Sequence, residues 1–406
     1  MSTPVITHGS KIGIHAISPR QAIPLVRAAR DRGAAWPLVK GVDNGGIALD
    51  VKAIAPRSLT ITRFVNTAED SAQDVDRWSP ADMRQHAQAA ISFIADRLNA
   101  QERAAADWLE PLNEADPPGV AGWRAFGLYL CEVVREADRR GLKIALPAFN
   151  SGTPEWDEMN ALVESGLFAL MRDGGHILTV HEGLVRDKPV DVGFGDLIPG
   201  APVVAGAGSI CFRYRYLYSL LAARGEVVPL VISEFYGGGS YSLPPEEQVE
   251  RFAWYDHEAR KDPYVLAVLP FTIDPSGAWT GQDYTYAYPS VLEYLVQQKD
   301  VLNAAAPAPV ITPDDTPPPD LQPPDLTPPV DLPPADNATH RVTAFQLNIR
   351  LHPFTGAVEP PKVGTLAQDA RVPVVGVYKP DGLPFGWACL SPNGDQWVSM
   401  QWLTPL

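Results

Sequence analysis

Glu114 and Glu234 each close an apolar run, in DWLEPLNE and PLVISEFY. The apolar and β-favouring residues of each run predict a strand, and each strand stops at a carboxylate. Asn113 precedes the first glutamate and Asp116-Pro117-Pro118 follows it; Tyr236 and Gly237-Gly238-Gly239 follow the second. Two carboxylates delivered from two strand ends are what cleavage of a glycosidic bond needs, one as acid/base and one as nucleophile or base. A single strand-end glutamate would more simply cap a helix or pair with an arginine.

The elements that must position this pair alternate along the chain. Apolar runs at 11–17, 36–42, 58–65, 107–113, 143–149, 176–182, 229–236 and 265–273 read as eight strands. Helical or short connecting segments follow them, at 19–32, 46–55, 80–99, 119–140, 156–172, 213–224, 244–261 and 289–299. Continuous apolar strands are expected where both faces of a parallel sheet are buried. Eight such units in residues 1–302 predict an α/β fold, the (β/α)8 TIM barrel, with chemistry at the C-terminal ends of its strands. A doubly wound open sheet is the rival, but its Gly-rich first turn does not follow the first run. In the barrel Glu114 ends strand four and Glu234 ends strand seven.

Other strand ends supply candidates. Arg63 ends strand three and could hold Glu234 ionised by opposite charge, or form a structural pair in the barrel mouth. His181 and Glu182 end strand six; the histidine could hydrogen-bond the nucleophile or a sugar hydroxyl, and Glu182 is a rival for either catalytic role. Tyr236, just past Glu234, is placed to line the cleft. Lys40 and Asp43, near the end of strand two, are candidate subsite contacts. His15, on strand one, reads as a barrel-interior residue.

The pairing of Asn113-Glu114 at strand four with Ser233-Glu234-Phe235 at strand seven resembles the clan A retaining glycoside hydrolases, over roughly residues 10–300. The resemblance implies that Glu114 is the acid/base, that Glu234 is the nucleophile and that Asn113 hydrogen-bonds the sugar 2-hydroxyl. It also implies that Trp279, just past strand eight, stacks on a sugar ring; packing within its own loop is the alternative. If the two carboxyls lie ~5–5.5 Å apart, direct attack retains the anomeric configuration. Glu114 must then begin protonated, which burial and the charge on Glu234 would favour.

Composition narrows the field. A net charge of −15 argues against a nucleic-acid backbone as partner, which calls for clustered Lys and Arg. Cys131, Cys211 and Cys389 are too few and too scattered for a disulfide framework or a closed zinc site. HExxH, EF-hand, GxSxG and P-loop patterns are absent, so neither a metal nor a cofactor is expected. No apolar run approaches the ~20 residues of a membrane span. The N-terminus has no apolar leader region. The chain nevertheless reads as extracellular or wall-associated rather than cytoplasmic, because of its C-terminal part.

Residues 303–337 hold much of the excess of proline, 41 in all, and repeat the phrase PPDL. Proline fixes φ and removes N–H donors, so a polyproline II spacer of ~3.1 Å per residue is expected. Residues 338–406 alternate in period two between turn signals, an all-β pattern. Leu347-Asn348-Ile349-Arg350, Gly364-Thr365-Leu366, Gly386-Trp387, Trp397-Val398 and Trp402-Leu403 resemble the bacterial Src-homology-3-like domains of wall-associated proteins. An insertion, PFTGAVEPPK, departs from that pattern. The resemblance implies a peptidoglycan or other polymer partner, with Trp387, Trp397 and Trp402 as aromatic candidates; core packing is the competing role for each.

Three functions fit these features. The leading one is a retaining hydrolase of a poly- or oligosaccharide. The others are a cell-wall lysin and a non-catalytic carbohydrate-binding or structural barrel.

Overall fold

The computed structural model describes residues 9–66, 69–186, 188–239, 241–303, 339–342, 346–350, 362–367, 370–378, 387–390, 396–400 and 403–405. They belong to two compact units, Met1–Asp315 and Thr316–Leu406. The proline-rich segment expected at 303–337, the insertion, Gly386 and Trp402 lie outside the described residues apart from Asn303 and Lys362.

The first unit contains eight parallel strands: β1 (Ile14–Ala16), β2 (Leu38–Val42), β3 (Leu59–Arg63), β4 (Trp108–Glu110), β5 (Ala145–Phe149), β6 (Ile177–Gly183), β7 (Leu230–Tyr236) and β8 (Val265–Pro270). They pair in the orders β1-β2-β3-β4 and β5-β6-β7-β8. Isolated parallel bridges join these halves into a ring, Leu109 to Ile144 on one side and Ile12 to Val268 with Ala16 to Ile273 on the other. Backbone bonds from Leu109 N–H to Lys143 O (2.9 Å) and from Gly13 N–H to Val268 O (2.8 Å) run along the two seams. The fold is therefore the expected (β/α)8 barrel. Gly13 is needed at the second seam, because a Cβ there would lie 2.3 Å from the Leu38 carbonyl oxygen.

Local chemistry starts and stops the helices. Ser18 caps α1 (Pro19–Asp31), which has proline at its first position. Ser79 and Asp82 form a capping box on α3 (Pro80–Ala95), which follows α2 (Gly46–Ile54). The short α4 (Ala100–Ala105), capped by Asn99 and Glu102, lies in the connection between the third and fourth strands. α5 (Gly119–Arg139) follows β4. Two helices, α6 (Trp156–Glu164) and α7 (Leu167–Gly174), occupy the stretch read as one at 156–172, because Gly166 at φ +79° breaks it. α8 (Tyr214–Arg224), α9 (Pro245–Ala259) and α10 (Tyr288–Asn303) complete the shell.

Burial divides the barrel into layers. The outward strand residues and the helices share one large core. A separate apolar cluster, including Leu38, Leu59, Ile61, Trp108, Ile177 and Leu269, contains residues of the barrel strands only and fills the barrel. Burying each such side chain contributes about 1.5–3 kcal/mol. Side chains two residues further along the same strands are polar: Lys40, Arg63 and Glu110 are all nearly inaccessible. An apolar plug thus supports a charged floor at the C-terminal ends of the strands.

The second unit is all-β and antiparallel: β9 (His340–Val342), β10 (Gln346–Arg350), β11 (Lys362–Ala367), β12 (Arg371–Val372), β13 (Gly376–Tyr378), β14 (Trp387–Cys389), β15 (Trp397–Ser399) and β16 (Leu403–Pro405). They form sheets ordered β11-β10-β15-β14-β13 and β12-β9-β16. Ile349, Leu366, Val372, Ala388, Leu390 and Val398 make a small core. Trp387 and Trp397 are partly buried.

Among the described residues no helix is long and apolar enough to cross a membrane.

Candidate active site

Glu234 stands at the C-terminal end of β7, with a side chain 15% exposed. Glu114 lies beyond β4 rather than on it, because the strand ends at Glu110. Its backbone is pinned across the seam by a bond from Glu114 N–H to Ala148 O (2.9 Å). Its φ of +50° is in the left-handed region, which a residue with a Cβ enters at a cost. The two carboxylates and the His181 ring each offer an atom within 4.8 Å of the others.

These groups open onto a cleft of about 660 Å³. Arg63, Asn113 and Ser151 line it, and Tyr236, Tyr241, Phe271 and Trp279 form aromatic lining from the loops and strand ends of β7 and β8. The Phe271 and Trp279 rings meet edge to face, 6.3 Å between centroids. Tyr241, Phe271, Ser151, Gln282 and Arg186 were not among the sequence candidates. They belong to loops whose path over the mouth has no period in the sequence.

The nucleophile candidate sits among cations. Lys40 Nζ and Arg63 Nη1 each lie 3.5 Å from Glu234 Oε1, His15 Nε2 lies 3.7 Å from it and His181 Nε2 3.8 Å. Burial works to raise the Glu234 carboxyl, but His181 and Lys40 beside it prevail and hold it well below the usual carboxylate range. Burial pushes His15 down to about 4, so its ring is neutral at pH 7. His15 Nδ1 is 2.8 Å from Thr272 Oγ1.

His181 faces both carboxylates, with Nδ1 2.8 Å from Glu114 Oε1. The sequence expectation linked it to the nucleophile or to a sugar; its short contact is to the other glutamate. Asn113 lines the cleft, and its Oδ1 is buried with no partner among the described residues. Tyr236 lines the cleft with its hydroxyl donating to Gly239 O.

Three weaker candidates have other work. Glu182 accepts from Phe212 N–H (2.6 Å), Tyr214 N–H (3.2 Å) and the Tyr255 hydroxyl. It thereby ties the long β6–α8 connection to the barrel, and burial raises its carboxyl to about 7. Lys40 is not a subsite contact, because it is completely buried in the barrel floor against Glu110 and Glu234. Asp43 is exposed but accepts from Val65 N–H (2.8 Å), joining the loops after β2 and β3. Glu110 escaped the sequence reading. Its signal was a charged residue at an inward, period-two position after Trp108, where an ion needs a buried partner.

Glu114, His181 and Glu234 are spaced as metal ligands can be. Lys40 and Arg63 beside Glu234 oppose a further cation there.

No protein-family profile matches the chain, and no curated protein matches its sequence. Solved structures give low-identity likenesses. A glycoside hydrolase family 5 enzyme from Prevotella bryantii is 14% identical, with 73% of this chain and 99% of that one covered and a TM-score of 0.42. A glucosidase from Croceicoccus marinus is 11% identical over 71% of this chain and 69% of that one, with a TM-score of 0.43. A family 128 endo-β-1,3-glucanase from Pseudomonas viridiflava is 14% identical over 70% and 96%, with a TM-score of 0.34. At such identities and scores these likenesses assign neither activity nor substrate to this chain.

Proposed function

We propose that this chain is a retaining glycoside hydrolase acting on a poly- or oligosaccharide, with Glu234 as nucleophile and Glu114 as acid/base. The observation that carries this reading is the approach of the two carboxylates to within 4.8 Å. That approach is closer to the ~5–5.5 Å separation of a retaining pair than to the ~6.5–9.5 Å of an inverting one.

The electrostatics favour the same division of labour. His181 and Lys40 keep Glu234 ionised for attack against the effect of burial. Glu114 is 42% exposed rather than buried as expected; in this reading it passes its proton to the departing oxygen and then takes one from the attacking water. His181 orients Glu114 through Nδ1. The unpartnered Asn113 Oδ1 is suited to accept from the 2-hydroxyl, and Trp279 with Phe271 offers apolar surface to a pyranose. Arg63 and Tyr236 complete the substrate-facing set.

The second unit is proposed to be a bacterial Src-homology-3-like module that binds a wall polymer, joined to residues 1–302 by a spacer at 303–337. Its two antiparallel sheets support that reading. Tethering to an insoluble polymer would raise the local concentration of the catalytic unit.

Screening the full chain against a panel of plant, fungal and bacterial glycans, including purified cell walls, tests the activity. Hydrolysis of one panel member that falls to about 10⁻³ or less in Glu234→Gln is expected. Equal turnover by that variant would overturn the proposal.

A further inference from the structure

Four basic side chains make their closest approach to Glu234 at the same oxygen, Oε1. Lys40 from β2, Arg63 from β3, His15 from β1 and His181 from β6 all approach that one oxygen. Glu234 itself lines the cleft. Behind Lys40 lies Glu110, which contacts its ammonium; both side chains are wholly inaccessible to solvent.

A buried ion pair costs several kcal/mol of desolvation per ion, and apolar residues of similar volume often serve stability as well or better. The pair is therefore poorly explained as a stabilising device. Its position explains it better. Lys40 Nζ lies between one carboxylate that is sealed in the barrel and another that faces the cleft.

We propose that Lys40, clamped by Glu110, is a positioning residue that anchors Glu234 Oε1 in the barrel floor and leaves Oε2 as the attacking atom. This rests on the reading of Glu234 as nucleophile. In the covalent step the Oε2 lone pair forms the bond to the anomeric carbon. The bond to the leaving oxygen breaks with its electron pair, and that oxygen takes the proton of Glu114. Lys40 touches neither the sugar nor the leaving group.

Charge bookkeeping agrees with this role. The groups facing Glu234 are Lys40, Arg63, His15, His181 and, across the mouth, Glu114; Tyr241 adds a phenol from the loop after β7. Removing Lys40 together with Glu110 takes away one charge of each sign, and with them the cation 3.5 Å from Oε1.

Lys40→Met alone strands Glu110 as an unpaired buried charge and is liable to unfold the barrel. The informative variant is the double, Lys40→Met with Glu110→Leu. Carboxyl-¹³C labelling of glutamate, with Glu234 assigned through Glu234→Gln, reads the Glu234 titration by NMR whether or not any glycan is cleaved. The acid limb of kcat/KM is measured beside it. In the folded double variant the Glu234 titration and the acid limb should both move upward by one pH unit or more, with kcat at least tenfold lower and KM little changed. A folded double variant whose Glu234 titrates as in the wild type would overturn the proposal. If the NMR titration moves but the wild type cleaves no glycan, the hydrolase reading fails and the anchoring of Glu234 by Lys40 stands.

Discussion

Glu114 and Glu234 reach the same mouth from opposite halves of the barrel, and their oxygens come within 4.8 Å. Glu234 is fixed by its strand and by the cations beneath it. Glu114 is fixed by a left-handed backbone turn, by the Ala148 carbonyl and by His181. One carboxylate is held ionised in the floor while the other is presented from the wall, so the roles differ because the surroundings differ.

Glu114→Gln removes the proton donor and leaves Glu234 in place. Its kcat should fall by about 10²–10⁴-fold on substrates whose leaving group needs a proton. Aryl glycosides with acidic phenols need less help and should lose far less in the first, glycosylation step. Comparing the two substrate classes by burst and steady-state kinetics checks this; an equal loss on both in that step would contradict the assignment.

Trp279→Ala should weaken substrate binding more than it slows chemistry. An apolar contact of about 1.5 kcal/mol corresponds to roughly tenfold in KM. Phe271 stays behind as the neighbouring ring. A large fall in kcat at unchanged KM would show instead that Trp279 acts in the transition state.

Glu182 gives the barrel a pH dependence of its own. Its folded carboxyl, raised to about 7 from 4.5, binds a proton more readily than it does in the unfolded chain. Its contribution to stability is therefore greatest below about 4.5 and is lost as pH rises toward 7. Thermal unfolding of wild type and Glu182→Gln across that window should differ in slope, with the variant lacking this group's decline. Parallel curves would contradict the raised carboxyl.

Much of the fold was legible because each barrel strand is a short apolar run followed by a helical or connecting segment. The positions of Glu114 and Glu234 followed from counting those runs. What counting missed were contacts set by register and by loops. Arg63 pairs in register with Glu110 across β3 and β4, so Glu110 enters the floor with Lys40. That depends on which strand faces lie inward. Likewise Glu182 reads as a reactive carboxylate in sequence, but Phe212, Tyr214 and Tyr255 come back to it only through tertiary packing. Tyr241 reaches the cleft through a loop path that local periodicity does not encode.

A covalent trap tests the central claim most directly. The full chain is incubated with 2-fluoro-glycosides carrying good leaving groups, spanning several sugars, and its peptides are mapped by mass spectrometry. The account predicts a stoichiometric glycosyl adduct on Glu234 that is absent in Glu234→Gln, and products of the natural reaction released with retained anomeric configuration. An adduct on Glu114 or Glu182, or turnover that releases the inverted anomer, would contradict it.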